Sequence, residues 1–172
     1  MRVFLDFEAS SLSKASYPIE IGWVFEDGTA EGHLIKPASA WTEWDERAAE
    51  IHRISREQLL ADGKPHDEVC RRMVEVLTGH TLYASAPSWD GRWLSVLLRA
   101  AGFPRHLLRL RDSDEAFVEA ATERLGSDAT ETMIASLVAS ARAAVEAWPP
   151  DHRAVGDARR EWEIWREIAD QG

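Results

Sequence analysis

Residues 2–8 (RVFLDFE) alternate between two sides: Arg2, Phe4, Asp6 and Glu8 share one, and Val3, Leu5 and Phe7 the other. A period of two is that of a strand, and apolar residues on both sides predict a central strand covered on both faces. Residues 18–26 (PIEIGWVFE) read as a second strand, Asp27-Gly28 as a hairpin-type turn, and residues 30–36 as a third strand, which makes an antiparallel meander. Beyond it the period lengthens. Residues 45–60 hold a short helix and the start of another. Residues 66–78 set Val69, Met73, Val76 and Leu77 on one helical stripe. Residues 81–85 (TLYAS) predict a short strand. A helix at about 89–101 carries Trp93, Leu94, Leu97 and Leu98 on one side and stops at Gly102. Residues 106–111 (HLLRLR) predict a fifth strand, followed by helices over roughly 114–125 and 130–147. Pro149-Pro150 break the chain ahead of a last helix from about 155 to 169. The pattern predicts a single α/β domain over residues 1–172: a mixed five-stranded sheet, three antiparallel strands and then strands interleaved with helices, flanked by helices.

Composition narrows the function classes. The 172 residues suit one domain, and 45% hydrophobic with 29% charged residues are the proportions of a globular protein, which excludes disordered, collagen-like and rod-like chains. Cys70 is alone, so no intramolecular disulfide and no multi-cysteine zinc site is expected. No apolar run approaches the roughly 20 residues of a membrane span. The N-terminal MRVFLDFEAS turns acidic at position 6 and lacks the apolar core of a signal peptide. No membrane partner and a cytoplasmic location are therefore expected. The net charge of −10 argues against a broadly basic duplex-binding face. An acidic metal site is one source of such a total, because bound dications offset part of it. The basic side chains are 17 Arg and 3 Lys. Arg suits bidentate phosphate contacts; a GC-rich genome gives the same bias.

Chemistry concentrates at three places. Asp6 and Glu8, two apart on a strand, point to the same side. Like charges in a mostly apolar strand repel unless a cation lies between them, and hard divalent cations take oxygen ligands; a solvated strand end is the other reading of the same pair. Asp90 opens a helix just after a strand, where an ordinary N-cap also fits. His152 and Asp157 are five residues apart. On one continuous helix they would diverge by about 140°, but Pro149-Pro150 and Gly156 argue for His152 on the loop and Asp157 in the opening turn, where both can face one site.

F-L-D-F-E-A-S-S-L at 4–12, P-I-E-I-G at 18–22, I-H-R-I-S at 51–55, Asp90 ahead of an apolar helix, and H-R-A-V-G-D at 152–157 together resemble the DEDDh 3′–5′ exonuclease superfamily. The resemblance covers essentially the whole chain and implies a ribonuclease H-like fold. It assigns Asp6, Glu8, Asp90 and Asp157 as ligands of two divalent ions, Mg²⁺ or Mn²⁺, and His152 as general base. Two ions about 4 Å apart serve the attacking and leaving oxygens of phosphodiester hydrolysis, and a histidine titrates near operating pH. The implied activity is release of nucleoside monophosphates from 3′ ends of single-stranded DNA or RNA. A phosphodiesterase for very short oligoribonucleotides and a non-catalytic nucleic-acid-binding module are the rivals. The same resemblance places Phe7, Ala9 and Leu12 against the terminal nucleotide, Leu12 as an apolar wedge and Phe7 through its backbone. Several small members are dimers, so a homodimer is compatible with the resemblance, which does not fix the oligomeric state.

Ala9 and the A-x-G-D ending are similar to the three-prime repair exonuclease branch. Ala9 and Ser11 replace the common Thr and Gly, Arg53 stands where Gly is frequent, and Ala86 where Asn is common. These departures spare the metal ligands and bear on substrate choice. Trp89, Trp93 and the 105–111 stretch suit base or phosphate contacts as well as core packing or a solvated edge. His33, His52, His66, His80 and His106 read as ordinary histidines, and Cys70 as a buried packing residue.

Overall fold

A computed structural model describes residues 1–146 and 152–170. Three strands, β1 (Arg2–Ala9), β2 (Pro18–Phe25) and β3 (Ala30–Lys36), form the antiparallel meander. Gly28, at a φ of 86°, turns β2 into β3. Helices α1 (Glu46–His52) and α2 (Arg56–Asp62) follow, and then a two-residue strand, β4 (Lys64–Pro65), parallel to β3. Helix α3 (His66–Leu77) leads to β5 (Thr81–Ala84), parallel to β1, and α4 (Pro87–Ala100) leads to β6 (Leu110–Asp112), parallel to β5. Helices α5 (Ser113–Leu125), α6 (Glu131–Val145) and α7 (Ala154–Ala169) complete the described elements.

The sheet order is β4-β3-β2-β1-β5-β6. The mixed sheet with helices on both faces is the ribonuclease H-like arrangement expected from the sequence, with two corrections. Among the described residues the sheet has six strands rather than five, because Lys64–Pro65 adds a short edge strand. The last strand is also only Leu110–Asp112: residues 105–106 turn, and just three residues of the predicted 106–111 segment and its neighbour pair with β5. Pro149-Pro150 and the end of the predicted 130–147 helix lie outside the described residues.

β1 sits between β2 and β5, covered on both faces as its alternation predicts. Val3, Leu5 and Phe7 pack with Trp23 beneath α3 and α4, against Cys70, Met73, Leu77, Leu94 and Leu97. Phe4 points the other way, into Phe117, Ala158, Trp162, Trp165 and Ile168 of α5 and α7. Asp6 and Glu8 share the Phe4 side of the strand and therefore face α7. A third cluster, Tyr17, Ile19, Ile54 and Leu59, ties α1 and α2 to β2. No described helix is long and apolar enough to cross a membrane.

Candidate metal centre and active site

Three elements bring the acids together. β1 delivers Asp6 and Glu8 to one side near its carboxyl end, where the ladder to β2 is interrupted by a bulge between Glu8 and Ala9. β5, parallel to β1, leads into α4, which opens with Pro87, a residue preorganised for a first helical turn. Asp90, in that first turn, is 2% exposed, and among the described residues its Oδ2 has no hydrogen-bond partner. α7 packs against β1 and β2 and contributes Asp157, its fourth residue, whose N–H donates to Arg153 O at 2.9 Å. Carboxylate oxygens of Asp6, Glu8 and Asp157 all lie within 4.8 Å of one another. Asp90 stands outside that trio but close enough to act on it electrostatically.

The electrostatics are those of a partly buried carboxylate cluster whose members repel one another. Burial first, then the charges of Asp90, Glu8 and Asp157, raise the Asp6 carboxyl well above its ordinary range. Burial, then Asp157 and Glu20, push Glu8 up to about 8, against the pull of Arg153. Burial pushes Asp90 up to about 7, although backbone hydrogen bonds from Phe7 and the first turn of α4 favour its ionised form. Each shift disfavours the charged carboxylate. An oxygen-only donor set with one buried oxygen unpartnered among the described residues fits a hard divalent cation, which would restore the ionised forms.

One acid was not singled out in the sequence. Glu161 lies one turn beyond Asp157 on α7, is itself raised by burial, and adds to the shifts of Asp6 and Asp90. Its signal was the four-residue spacing after Asp157, which puts both on one helix face. In the sequence Glu20 stands out only as the acid of P-I-E-I-G. It is a buried acid in an otherwise apolar strand, opposite Glu8 in the β1–β2 ladder.

His152 lies on the exposed approach to α7, with a left-handed φ of 53°, and is not part of the converging trio. Phe7 is 4% exposed and its ring belongs to the core; Ala9, 7% exposed, closes β1 at the bulge. Leu12 is 70% exposed on the 10–16 loop. That loop is held on two sides. Ser10 and Ser13 donate to Glu43 at 2.6 and 3.0 Å, and Ser11 donates to the same carboxylate. Burial would raise the Glu43 carboxyl, but the three hydroxyls outweigh it and hold it below its ordinary range. From α4, Trp93 Nε1 donates to Ser16 Oγ at 3.0 Å and Arg92 donates to Lys14 O. Trp93 is buried and stacks on half-buried Trp89 at 5.7 Å.

No family model and no curated protein sequence matches the chain. Solved structures do. Escherichia coli exonuclease I, in its zinc-bound complex with single-stranded DNA, is 16% identical over 94% of this chain and 38% of its own, with a TM-score of 0.67. A moderately thermophilic exonuclease I from Methylocaldum szegediense is 15% identical over 96% and 40%, with a TM-score of 0.70. The E. coli enzyme with a dA16 oligonucleotide gives 14%, 96%, 40% and 0.68. The chain thus spans about two-fifths of the length of these nucleases. At this identity the likeness shows the architecture, and the chain has the ribonuclease H-like fold of the exonucleases it resembles.

Proposed function

We propose that this protein is a metal-dependent 3′–5′ exonuclease, its residues 1–172 forming one cytoplasmic nuclease domain that hydrolyses single-stranded DNA or RNA ends to nucleoside monophosphates. The observation that carries the reading is the convergence of Asp6, Glu8 and Asp157, from the first strand and the last described helix, beside the unpartnered Asp90 oxygen. The cost of assembling these acids without a cation is a reason to expect one. The likeness to exonucleases solved with single-stranded DNA supports the substrate class.

In this reading Asp6, Glu8, Asp90 and Asp157 hold two divalent ions, Mg²⁺ or Mn²⁺, which when bound supply charge stabilisation to the attacking and leaving oxygens. His152, on the solvent-facing approach to α7, takes the proton of the attacking water. Leu12 offers an exposed apolar face to the terminal base, and the Glu43 and Arg92 contacts hold its loop before substrate arrives. Phe7 contributes through its backbone, since its ring is committed to the core, and Ala9, at the end of β1, lies with it against the terminal nucleotide. Polarity follows from the family resemblance.

The test uses 3′- and 5′-labelled DNA and RNA strands of matched sequence and graded length, incubated with Mg²⁺ or Mn²⁺, with and without chelator. Mononucleotides shed from the 3′ end, only with metal, are expected. Internal cuts in a circular single strand overturn the polarity. Turnover of oligoribonucleotides a few residues long and nothing else selects the short-oligomer phosphodiesterase, and binding without cleavage selects the non-catalytic module.

A further inference from the structure

Glu20 is a carboxylate in a strand whose neighbours from Pro18 to Val24 are all buried, and its own side chain is 7% exposed. Both its oxygens are engaged. Arg153 Nε donates to them at 3.1 and 3.0 Å and Arg153 Nη2 at 2.5 Å, while the Ala154 backbone N–H donates to Oε2 at 3.0 Å. Ala154 is the first residue of α7, and Arg153, at the cap position, gives its helix no side-chain acceptor. Glu20 therefore caps α7 from another element. It satisfies an amide with no intrahelical partner and sets negative charge at the positive end of the helix.

Two glycines complete the seat. Gly22 lies on the same side of β2 as Glu20, and a Cβ there would meet the Val155 backbone nitrogen at 2.3 Å. Its ladder partner Gly32, on β3, would bring a Cβ within 2.2 Å of Val155 Cγ2. The first turn of α7 thus rests on bare backbone from two strands and is tied down by one carboxylate. Glu8 stands opposite Glu20 across the β1–β2 ladder, so the strand pair that seats the helix also carries part of the acid trio.

We propose that Glu20 is a positioning residue of the metal centre: through Arg153 and the Ala154 amide it fixes the start of α7, and with it the reach of Asp157 toward Asp6 and Glu8. The inference rests on the metal reading of those acids. Arg153 has a second task in this arrangement. It neutralises Glu20, so that a carboxylate beside Glu8 is not offered to the cations as a competing ligand. Partners that orient a ligating side chain typically control metal affinity by 10–100-fold.

Calorimetric titration with Mn²⁺, on folded protein well below its Tm, separates positioning from mere support of the fold. Four proteins are compared: wild type, Asp157→Asn, Glu20→Gln, and Leu77→Ala as a core-weakened control on α3. Glu20→Gln is expected to weaken Mn²⁺ binding by about 10–100-fold at the site that Asp157→Asn removes. Leu77→Ala is expected to lower Tm with affinity unchanged. Wild-type affinity in Glu20→Gln would reduce Glu20 to a stabiliser of the fold and overturn the proposal, while loss in Asp157→Asn keeps the metal reading. A wild-type protein that binds no Mn²⁺, or an Asp157→Asn variant that binds it normally, overturns both. Should Glu20→Gln not fold, Arg153→Gln, altered at a side chain 42% exposed, is titrated instead. Weaker binding is again expected, and unchanged affinity overturns the proposal.

Discussion

In chelator, replacing Glu8 with Gln should make the protein more stable at neutral pH, although it removes a proposed ligand. Glu8 is half-buried, and burial, with Asp157 and Glu20 beside it, pushes its carboxyl from an ordinary 4.5 up to about 8. The folded state holds a proton that the unfolded chain releases above about pH 4.5. Stability therefore falls as pH rises from there and levels off above about 8. At 1.36 kcal/mol per pH unit, the interval sets a ceiling of about 5 kcal/mol. Water reaches part of the side chain, and its repulsion is shared with Asp6 and Asp157, so about 1–3 kcal/mol is the working expectation. For a chain of this length that is a rise of roughly 2–12 °C in Tm. Thermal unfolding by circular dichroism in EDTA, at pH 4 and pH 7.5, measures it. The Gln variant should melt higher at pH 7.5 and level with wild type at pH 4. Excess Mn²⁺ should reverse the order at pH 7.5, because only the wild type keeps all its ligands and gains by mass action. A Gln variant that melts lower in EDTA at pH 7.5, or a gap that is the same at both pH values, refutes the reasoning.

His152→Ala should lose about 10²–10⁴-fold in turnover on a labelled strand with Mn²⁺ affinity retained, the usual worth of a general base; wild-type turnover would assign the proton elsewhere. Gly22→Ala should cost about 1–3 kcal/mol, toward the upper end, since its Cβ meets helix backbone at 2.3 Å rather than a flexible side-chain tip; a Tm within about 2 °C of wild type would mean α7 shifts freely on the sheet. Arg53→Gly should be neutral or raise stability by up to about 1 kcal/mol, because Arg53 is exposed and holds a left-handed φ of 57° at the end of α1; a clear drop in denaturant midpoint would point to a contact made by the Arg side chain.

Much of this was legible in the sequence, and for physical reasons. The alternation through Asp6 and Glu8 is forced by the strand period, so side and neighbours followed from spacing alone. Position 53, where the family that the sequence resembles often carries Gly, has a left-handed backbone, and here Arg bears it. The 106–111 stretch misled because Leu107 and Leu108 imitate a strand. Leu108 instead joins the main core cluster from a bend, and pairing starts only at Leu110. Lys64–Pro65 was invisible, being two residues long with a proline among them. Asp90 showed its position but not its burial, which depends on how α4 docks over β1. Glu20 and Glu161 were missed because each is meaningful only through a partner far along the chain or on a neighbouring face.

The acid trio joins the first strand to a helix about 150 residues later, and this gives the protein a timing property. At ribosomal rates of 5–20 residues per second, roughly 10–30 s pass between emergence of Asp6 and Glu8 and arrival of Asp157. During that interval the nascent chain carries two acids of a trio and no seat filled on Gly22 and Gly32. On the proposed nuclease reading, the protein would emerge inert and gain its chemistry only when α7 docks. A chain cut short ahead of Ala154 would lack Asp157 and the helix seated on Gly22 and Gly32, and with them the complete acid trio.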